Sequence, residues 1–324
     1  MHLGIDISKR YFDATLRTDT DETKHCQFEN NATGIQSLLA WLRQHGVTQL
    51  HVCMEATNTY WEAVAEALHG AGYTVSVVNP ARIKGFAMSQ MRRNKNDKLD
   101  SDVIATFCAK MTPAPWTPPS ASERKLRSLV RHRDGLQKTL TQQKNRLANA
   151  HDQEVTASLQ KVIETLQAEI AQLEKRIDHL ISADAQQQKA VTLICSINGV
   201  GRRTARQVLA EMPDLAHYPS ATAAAADVGL TPAHHDSGET VHRRPHLSKQ
   251  GKTGMRRILY WPAIVAIKHN PIVAALAHRL KQRHKPKKVI IVAAMRKLMH
   301  LIYGVLKNQT PFDPYYHSRS RPVT

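Results

Sequence analysis

Four carboxylates in the first third of the chain have the types and spacing for divalent-cation chemistry. Asp6 lies inside an apolar run, where a charge is costly unless it is paired or binds a metal. Glu55 directly follows another apolar run, and Asp97 and Asp100 open a helical segment at spacing i, i+3. Mg²⁺ prefers carboxylate oxygens, and two such ions can hold the attacking and leaving oxygens of a phosphodiester. The four acids therefore predict a Mg²⁺-dependent phosphoryl-transfer site.

Each acid taken singly also has a structural interpretation. Asp97 and Asp100 favour a helix N-terminus, and Asp6 could cap a turn. The occurrence of all four in this order favours the metal site over these roles. Asp102 lies about 200° around the helix from Asp100, so we leave it outside the ligand set.

A second group of residues suits contact with nucleic-acid phosphates. Gly199 and Gly201 precede a helical segment that carries Arg202, Arg203 and Arg206, which is typical of a helix-hairpin-helix. Glycines let the backbone approach closely, and N–H groups at a helix start can hold a phosphate. An ordinary tight turn is the alternative, but the three arginines favour sequence-neutral contact with a nucleic-acid backbone.

The overall charge also indicates a polyanionic partner. The 324 residues contain 45 Lys and Arg against 27 Asp and Glu, a net charge of +18. Six Lys or Arg fall within residues 279–288, among them Lys285, Lys287 and Lys288. A solvated face is the alternative for this run, but the global excess favours contact with a nucleic-acid backbone that weakens with salt. This excess disfavours an acidic disordered chain, and 42% hydrophobic residues suffice for packed cores.

Alternating strands and helices in residues 1–112 must position the acids. Apolar periodicity and turn residues predict strands at Leu3–Ile7, Tyr11–Leu16, Lys24–Phe28, Leu50–Met54 and Thr74–Val78, and helices at Gly34–His45, Tyr60–Leu68 and Asp97–Met111. A three-strand meander followed by alternating helices and strands predicts an α/β domain with a mixed sheet. Four prolines in Thr112–Ser120 indicate a linker or boundary.

Residues 121–182 predict two long helices in an antiparallel coiled coil. The second helix has a strict heptad seam of Leu159, Ile163, Leu166, Ile170, Leu173, Ile177 and Leu180. The first has a looser leucine stripe, and Ala148–Glu154 could form the tip between them. An internal helical hairpin is one interpretation. The strictness of the seam favours the other, a dimerisation arm.

The remainder, residues 185–324, is predicted to be mainly helical with a polar loop at His234–Gln250. His234, His235, His242 and His246 match no standard zinc spacing, so we expect phosphate contacts or a solvated loop. The apolar segment Val289–Leu306 is interrupted by charged residues, which predicts a core helix rather than a membrane span.

The sequence also bears on the compartment. The N-terminus lacks a charged n-region and has an acid at its sixth residue, so we expect no signal peptide. Four widely spaced cysteines, Cys26, Cys53, Cys108 and Cys195, form no CxxC pair and no disulfide framework. These features predict a reducing cytoplasm and no membrane partner.

Ordered motifs along most of the chain resemble one family. The motifs are Gly4-Ile5-Asp6, Glu55-Ala56-Thr57-x-Thr59-Tyr60, Val78-Asn79-Pro80, Asn94-Lys95-x-Asp97-x-x-Asp100, Gly229-Leu230-Thr231-Pro232, Ser237-Gly238, Leu247-Ser248-Lys249-Gln250-Gly251 and Arg256-Arg257-Ile258-Leu259-Tyr260. Together they resemble the DEDD transposases of bacterial insertion elements. The resemblance implies an RNase H-like (RuvC-like) catalytic domain at 1–112 with Asp6, Glu55, Asp97 and Asp100 as Mg²⁺ ligands. It further implies a C-terminal transposase domain at 185–324, and the prolines and heptads predict a linker and coiled coil at 113–184 between the two domains.

The same resemblance implies a serine nucleophile. Carried to this chain, Ser248 would attack DNA and form a phosphoserine link, while Lys249 with Arg243 or Arg244 neutralises the developing charge. From composition alone, a loop or N-cap serine beside a basic patch is the favoured interpretation of Ser248, and the order of the motifs reverses this preference. We add Arg256 and Arg257 of the last motif to the predicted nucleic-acid-binding residues.

The function implied by the resemblance is a DNA recombinase that moves its own insertion element. It would cleave and exchange donor and target DNA, guided by a structured bridge RNA through base pairing. The family's assembly is a tetramer with a composite site, and the coiled coil is our candidate dimer contact. A cytoplasmic, nucleoid-associated location follows from these partners. Two alternatives remain open: a metal nuclease that resolves branched DNA with water as nucleophile, and a coiled-coil DNA-binding protein without chemistry.

Overall fold

The chain divides into two compact units, unit 1 (Met1–Pro118) and unit 2 (Pro119–Thr324), in a computed structural model. The structure describes residues 1–20, 22–56, 59–90, 97–237, 241–247, 251 and 253–315, and the side chains of the same residues except 97–98, 233–246 and 253. The boundary between the units falls inside the proline-rich segment, where a break was predicted. The division into three domains at 112 and 184 stays a prediction.

Unit 1 is built on a mixed sheet, as the sequence predicted. In chain order it contains β1 (His2–Ile7), β2 (Tyr11–Arg17), β3 (Thr23–Glu29), α1 (Ala32–Gln44), β4 (His51–Glu55), α2 (Glu62–Gly70), β5 (Thr74–Val78), α3 (Pro80–Ser89) and α4 (Asp97–Met111). The strand order is β3-β2-β1-β4-β5. The pairs β1–β2 and β2–β3 are antiparallel, whereas β1–β4 and β4–β5 are parallel.

The two faces of this sheet differ in polarity. One face carries buried apolar side chains from every strand, such as Ile5, Phe12 and Met54, and packs against α1 and α2. The opposite face is covered by α4 and α3, which bury Cys53 and Val78. Because side chains alternate along a strand, the polar residues that interrupt the apolar runs fall on this second face.

Helix α3 was not predicted, because Asn79-Pro80 was interpreted only as the end of a strand. The same two residues begin the helix. The Asn79 side chain accepts a hydrogen bond from the amide of Ala81 at 2.9 Å, and Pro80 occupies the first turn, where no backbone donor is lost.

Unit 2 is mainly helical, as predicted. Its described elements are α5 (Ala121–Ala148), α6 (Gln153–Ser182), α7 (Ala185–Cys195), α8 (Arg202–Glu211), a 3-10 helix (Leu215–His217), α9 (Ala221–Asp227), β6 (Pro232–Ser237), β7 (Val241–Leu247), α10 (Thr253–His269), α11 (Pro271–Gln282) and α12 (Lys287–Asn308). A capping box between Ser120 and Glu123 starts α5, and Asp152 caps α6. Helices α5 and α6 therefore reverse within the predicted tip.

The heptad seam of α6 packs inside the same chain. Ile163 and Ile170 are buried with Leu140 of α5, and Ile177 joins Leu126 of α5 in the larger core of unit 2. The internal hairpin thus covers the seam that we interpreted as a dimerisation arm. A dimer through this coiled coil stays a prediction, and it must use residues outside the seam.

A two-stranded ribbon occupies part of the predicted polar loop His234–Gln250. Strands β6 and β7 pair antiparallel with a register shift between Ala233 and His235. The polar composition of this segment predicted a loop instead, and Pro245 within β7 does not prevent the pairing. Proline is accepted at irregularities and on edge strands, and both strands of an isolated ribbon are edges.

One described helix, α12, is long and apolar enough to cross a membrane, with a mean hydropathy of 1.8 in its most apolar window. Core helices of globular domains meet the same criterion. The side chains of Met295, Leu298, Met299 and Ile302 are buried in the core of unit 2 together with α10 residues. This packing supports the interpretation of α12 as a core helix.

Candidate functional site

Asp6 and Glu55 are neighbours at one edge of the sheet in unit 1. Ile5 and Met54 are register partners in the parallel pair β1–β4, so the residues that follow them lie side by side where the two strands end. Ile5 and Met54 are fully buried on the apolar face. By alternation, Asp6 and Glu55 point to the face that α4 covers, and both are partly exposed.

Helix α4 runs antiparallel to β1 across this face. Near its beginning, the Ser101 hydroxyl lies 2.7 Å from that of Thr15, which is opposite the middle of β1. Further along the helix, Arg17, which is opposite the start of β1, donates a hydrogen bond to the Thr106 hydroxyl at 3.0 Å. The first turn of α4 therefore lies toward the edge where β1 and β4 end.

The backbone thus places three of the predicted acids, Asp6, Glu55 and Asp100, toward one edge. Asp6 and Glu55 come from strand ends and Asp100 from the first turn of α4, while the side chain of Asp97 lies outside the described residues. Carboxylates are the donors that Mg²⁺ prefers, so the residue types fit this ion. Among the side chains that the structure describes, no group of three or more His, Cys, Asp or Glu could hold a metal ion. The ligand roles stay predictions.

Asp102 has a different partner. Its carboxylate lies 3.4 Å from the guanidinium of Arg17, in an ion pair that is mostly buried. This pair ties α4 to β2 on the side away from β4. The contact agrees with leaving Asp102 outside the predicted ligand set.

Glycine at position 4 permits the close approach of α4 to β1. A Cβ added to Gly4 would overlap the amide nitrogen of Ala105 and the carbonyl oxygen of Ser101. The helix therefore lies directly on the strand. Sequence reasoning used Gly4 only as part of a motif, and this packing role gives it a physical reason.

Sequence reasoning missed the polar residues of β2, the strand that pairs with β1 next to Asp6. Asp13 is the register partner of Asp6 and is almost fully buried. It accepts a hydrogen bond from the Gln27 amide at 3.1 Å, and the His25 ring nitrogen Nε2 lies 3.0 Å from its other oxygen. The alternation of polar Asp13, Thr15 and Arg17 with apolar residues along this strand was the available signal.

Two cysteine thiols are poor candidates for the nucleophile. A hydrogen bond with Cys53, together with burial, raises the pKa of Cys108 far above its usual range. Burial also raises the pKa of Cys195. Since the thiolate is the reactive form, these shifts disfavour both thiols as the nucleophile.

The predicted nucleophile lies outside the described residues. This applies to Ser248 and its neighbour Lys249, whereas Arg243 and Arg244 are described only by their backbone in β7. The next helix, α10, begins at Thr253, five residues after Ser248. The structure therefore gives the elements on either side of the motif.

The turn between α7 and α8 is held against α10. Gly199 has a φ of +95°, and a Cβ added there would lie 2.8 Å from the Cα of Ala266. Glycine is required by both the backbone conformation and the packing. Gly201 is the N-cap of α8 and offers no side chain to bond the first amides. The turn has the backbone character that phosphate contact needs.

The arginines after this turn form ion pairs with the α5–α6 hairpin. Arg202 lies 3.3 Å and Arg203 3.5 Å from the carboxylates of Asp178 and Asp134, respectively. Arg206 also pairs with Asp178 and is mostly buried. Arg202 and Arg203 keep about half of their side-chain surface exposed, so they remain available to a phosphate. Their nucleic-acid role stays a prediction.

The remaining predicted cations differ in exposure. Arg256 donates to the carbonyl oxygen of Val228 at 2.7 Å and is partly buried. Arg257 is exposed on α10, and an exposed run at the start of α12 contains Lys285, Lys287 and Lys288. The exposed set is the better placed for contact with a polyanion.

Charge is distributed very unevenly along the sequence. Residues 1–118 contain 12 Lys and Arg and 12 Asp and Glu, so unit 1 has no net charge. Residues 240–312 contain 16 Lys and Arg and no acid. This segment carries nearly all of the net charge of +18. The acidic edge and the cationic segment are therefore separate features of the chain.

Two family models match most of the chain. Residues 3–154 match a model described as a transposase, and residues 191–278 match one described as the IS116/IS110/IS902 transposase family. The first match includes the four acids, and the second includes the α7–α8 turn and Ser248.

Full-length relatives agree with these matches. The chain is 33% identical over 319 residues to the pilin gene-inverting protein of Moraxella bovis, covering 98% of each chain. The homologue of Moraxella lacunata has the same name, identity and coverage. A transposase for insertion sequence element IS1111A from Coxiella burnetii is 22% identical over 295 residues, which is 82% of this chain and 78% of that one.

The matches exclude a DNA-binding protein without chemistry. The chain belongs to the IS110 family of transposases and is a DNA transposase or recombinase.

Proposed function

We propose that this protein is a Mg²⁺-dependent recombinase that mobilises an insertion element through a Ser248–phosphate intermediate, guided by a bridge RNA. The observation that carries the proposal is the antiparallel course of α4 across β1. This course directs the first turn of α4 to the edge that holds Asp6 and Glu55. The strand order β3-β2-β1-β4-β5 supports an RNase H-like, RuvC-like fold for unit 1.

The acids Asp6, Glu55, Asp97 and Asp100 would hold Mg²⁺, which polarises the scissile phosphate when bound. The Ser248 oxygen attacks phosphorus and loses its proton to a base. The bond from phosphorus to the DNA oxygen breaks, and that oxygen leaves as a hydroxyl after taking up a proton. Lys249 and the arginines of β7 would neutralise charge on the phosphate. Attack by a hydroxyl from another strand then releases the serine and completes the exchange.

Other parts of the proposal concern the partners. The cationic segment 240–312 supports binding of both DNA and a structured RNA, since each is a polyanion. The glycine turn before α8 supports a helix-hairpin-helix that contacts backbone phosphates. Val155 and Val162 are exposed apolar residues on α6 outside the seam, and they support a coiled-coil contact between protomers of a tetramer. A cytoplasmic, nucleoid-associated location follows from these partners.

A suicide DNA substrate resolved on a denaturing gel tests the chemistry. We expect a covalent protein–DNA adduct with the unaltered protein, none with Ser248→Ala, and an unchanged yield with Ser158→Ala, an exposed serine on α6. An adduct that survives Ser248→Ala contradicts the serine assignment. Sequencing the nucleic acid that co-purifies tests the guide, since a defined RNA from the flank of the gene is expected.

The Moraxella relatives support a second candidate, site-specific inversion of a DNA segment. Their printed name describes inversion of a pilin gene, and the alignment covers nearly the whole of both chains. Inversion and transposition share strand cleavage and exchange but differ in the arrangement of the sites. A plasmid assay with sites in inverted or direct orientation separates inversion from excision.

A RuvC-like nuclease that resolves branched DNA remains the alternative chemistry. It needs the four acids but uses water, so it does not need Ser248. Mg²⁺-dependent nicking that persists in Ser248→Ala, without any adduct in the unaltered protein, would favour it.

A further inference from the structure

Helix α10 has an exposed aromatic face that the proposed chemistry does not use. Trp261 is 70% exposed and Tyr260 is 43% exposed, and their rings meet edge to face with centroids 5.6 Å apart. Large aromatic side chains rarely remain this exposed unless they have a partner. Within unit 2, Trp261 is the one tryptophan in the sequence.

The opposite side of α10 fixes this face rigidly. Met255, Leu259, Ala263 and Ala266 are fully buried in the core of unit 2. The α7–α8 turn also packs on the helix, because Gly199 lies against the backbone of Ala266. The aromatic rings are therefore presented on an anchored helix next to a turn with phosphate-binding character.

Cations lie at both ends of the aromatic face. Arg257 is exposed one turn before Trp261, and Lys268 is exposed two turns after it, with partly buried Ile264 between. At the rise of an α-helix the two cations are about 16 Å apart along the axis. The helix contains no acid, and neither does the whole segment 240–312. We call Arg257, Tyr260, Trp261, Ile264 and Lys268 the α10 face.

The positive charge of the α10 face indicates which kind of partner can bind there. In a symmetric contact with a second copy, each α10 face would meet another that is equally cationic, which costs free energy. A nucleic-acid strand supplies the opposite charge, and every base offers a flat surface to an aromatic ring. Duplex DNA keeps its bases stacked inside, whereas strand exchange exposes unpaired ones.

We propose that the α10 face binds single-stranded DNA, with an unpaired base stacked on Trp261 and phosphates beside Arg257 and Lys268. This site goes beyond the proposed function and requires only that the protein acts on DNA strands. It does not depend on Ser248, on the metal ligands or on a guide RNA. We prefer DNA to RNA as the ligand because the family acts on DNA.

The test compares binding of a labelled oligothymidine and of a duplex of the same length by full-length variants. We expect Trp261→Ala to weaken oligothymidine binding by at least about fivefold, and Trp261→Tyr, which keeps a ring, by less than about twofold. Met111→Ala, an exposed apolar control in unit 1, should bind normally. Duplex binding should change little in every variant. Oligothymidine should also quench tryptophan fluorescence in the unaltered protein and not in Trp261→Phe.

Three results would overturn the proposal. One is an equal loss for single strand and duplex, which would indicate a general effect on binding or folding. Another is a lower molecular mass for Trp261→Ala in sedimentation, which would assign the face to a second copy. The third is dependence on Trp261 for oligouridine but not for oligothymidine, which would assign it to RNA. Adduct formation with Ser248 is measured separately, so the recombinase chemistry can hold when the stacking site fails.

Discussion

The two units of the molecule differ in net charge. Unit 1 contains 12 Lys and Arg and 12 Asp and Glu. Its candidate catalytic carboxylates lie toward one edge of its sheet. Unit 2 carries the entire net charge of +18, most of it within the acid-free segment 240–312. If the catalytic carboxylates lay among many Lys and Arg residues, they would form ion pairs with them instead of binding a metal. An acidic edge alone would repel DNA, so the protein also needs cations elsewhere. The separation indicates that unit 1 supplies the candidate metal ligands, whereas unit 2 supplies affinity for a polyanion together with the proposed nucleophile Ser248.

The units also differ in how they hold their polar groups. The polar face of the sheet in unit 1 is fixed by hydrogen bonds, such as the one between Thr15 and Ser101, and by the ion pair of Arg17 with Asp102. In unit 2, helix α8 is fixed to the hairpin of α5 and α6 by ion pairs of its arginines.

The largest expected effect is a loss of strand cleavage without a loss of DNA binding when a candidate metal ligand in unit 1 is replaced. We expect Asp6→Asn to reduce strand cleavage by at least about a hundredfold, because a metal ligand contributes several kcal/mol to the transition state. Duplex affinity should stay within about twofold, since the cationic segment is unchanged. Asp19→Asn alters charge equally at an exposed position and should leave both properties intact. Quantitative cleavage and anisotropy assays measure the two effects, and unchanged cleavage in Asp6→Asn removes the metal site from the account.

Packing in unit 1 is tested at Gly4. A Cβ at this position overlaps the backbone of α4, so Gly4→Ala should lower the free energy of unfolding by at least about 2 kcal/mol and displace the acids on α4. Gly85→Ala is the matched control. Its Cβ would meet no atom within 4 Å, and alanine in helix α3 should stabilise by up to about 1 kcal/mol. Calorimetry measures both changes, and equal effects would contradict the close approach of α4 to β1.

Local sequence patterns predicted most of unit 1, because alternation and turn residues are local signals. Helix α4 was predicted with its observed bounds, and β2 extends one residue beyond its predicted end. Helix α3 and the ribbon β6–β7 were missed. Asn79-Pro80 was interpreted only as the end of a strand, although proline is accepted in the first turn of a helix. Residues 234–250 were interpreted as a loop because they are polar and show no apolar alternation.

The candidate site was predicted in part for a similar reason. The four acids were recognisable by type and order along the chain. Three features could not be predicted locally: the packing role of Gly4, the burial of Asp13 and the contact of Thr15 with Ser101. They depend on strand register and on residues about 90 positions apart, which no local pattern reports. The exposure of Trp261 depends on which side of α10 faces the core, which only tertiary packing decides.

Two neighbouring arginines on α5 test how unit 2 holds its helices. Arg133 is 9% exposed and pairs with Glu174 and Asp134, whereas Arg131 is 47% exposed and pairs with Glu211. Arg133→Met should destabilise unit 2 by about 1–3 kcal/mol, because it leaves two partly buried acids without this cation. Arg131→Met should cost less than about 1 kcal/mol, as exposed pairs do. Chemical denaturation gives both values, and a larger loss from Arg131→Met would reverse the interpretation.

The cations of unit 2 are tested last, by the salt dependence of duplex binding. Replacing Lys285, Lys287 and Lys288 together by alanine should lower the slope of log affinity against log salt by up to about 3, since each phosphate contact contributes about one. The control replaces Lys161, Lys175 and Arg176 by alanine, which changes the net charge by the same amount. These three residues are exposed on α6 and have acidic neighbours. We expect its slope to change by less than about 1. Equal slopes for the two triple variants would mean that net charge alone sets affinity, and the acid-free segment would then have no special place in binding.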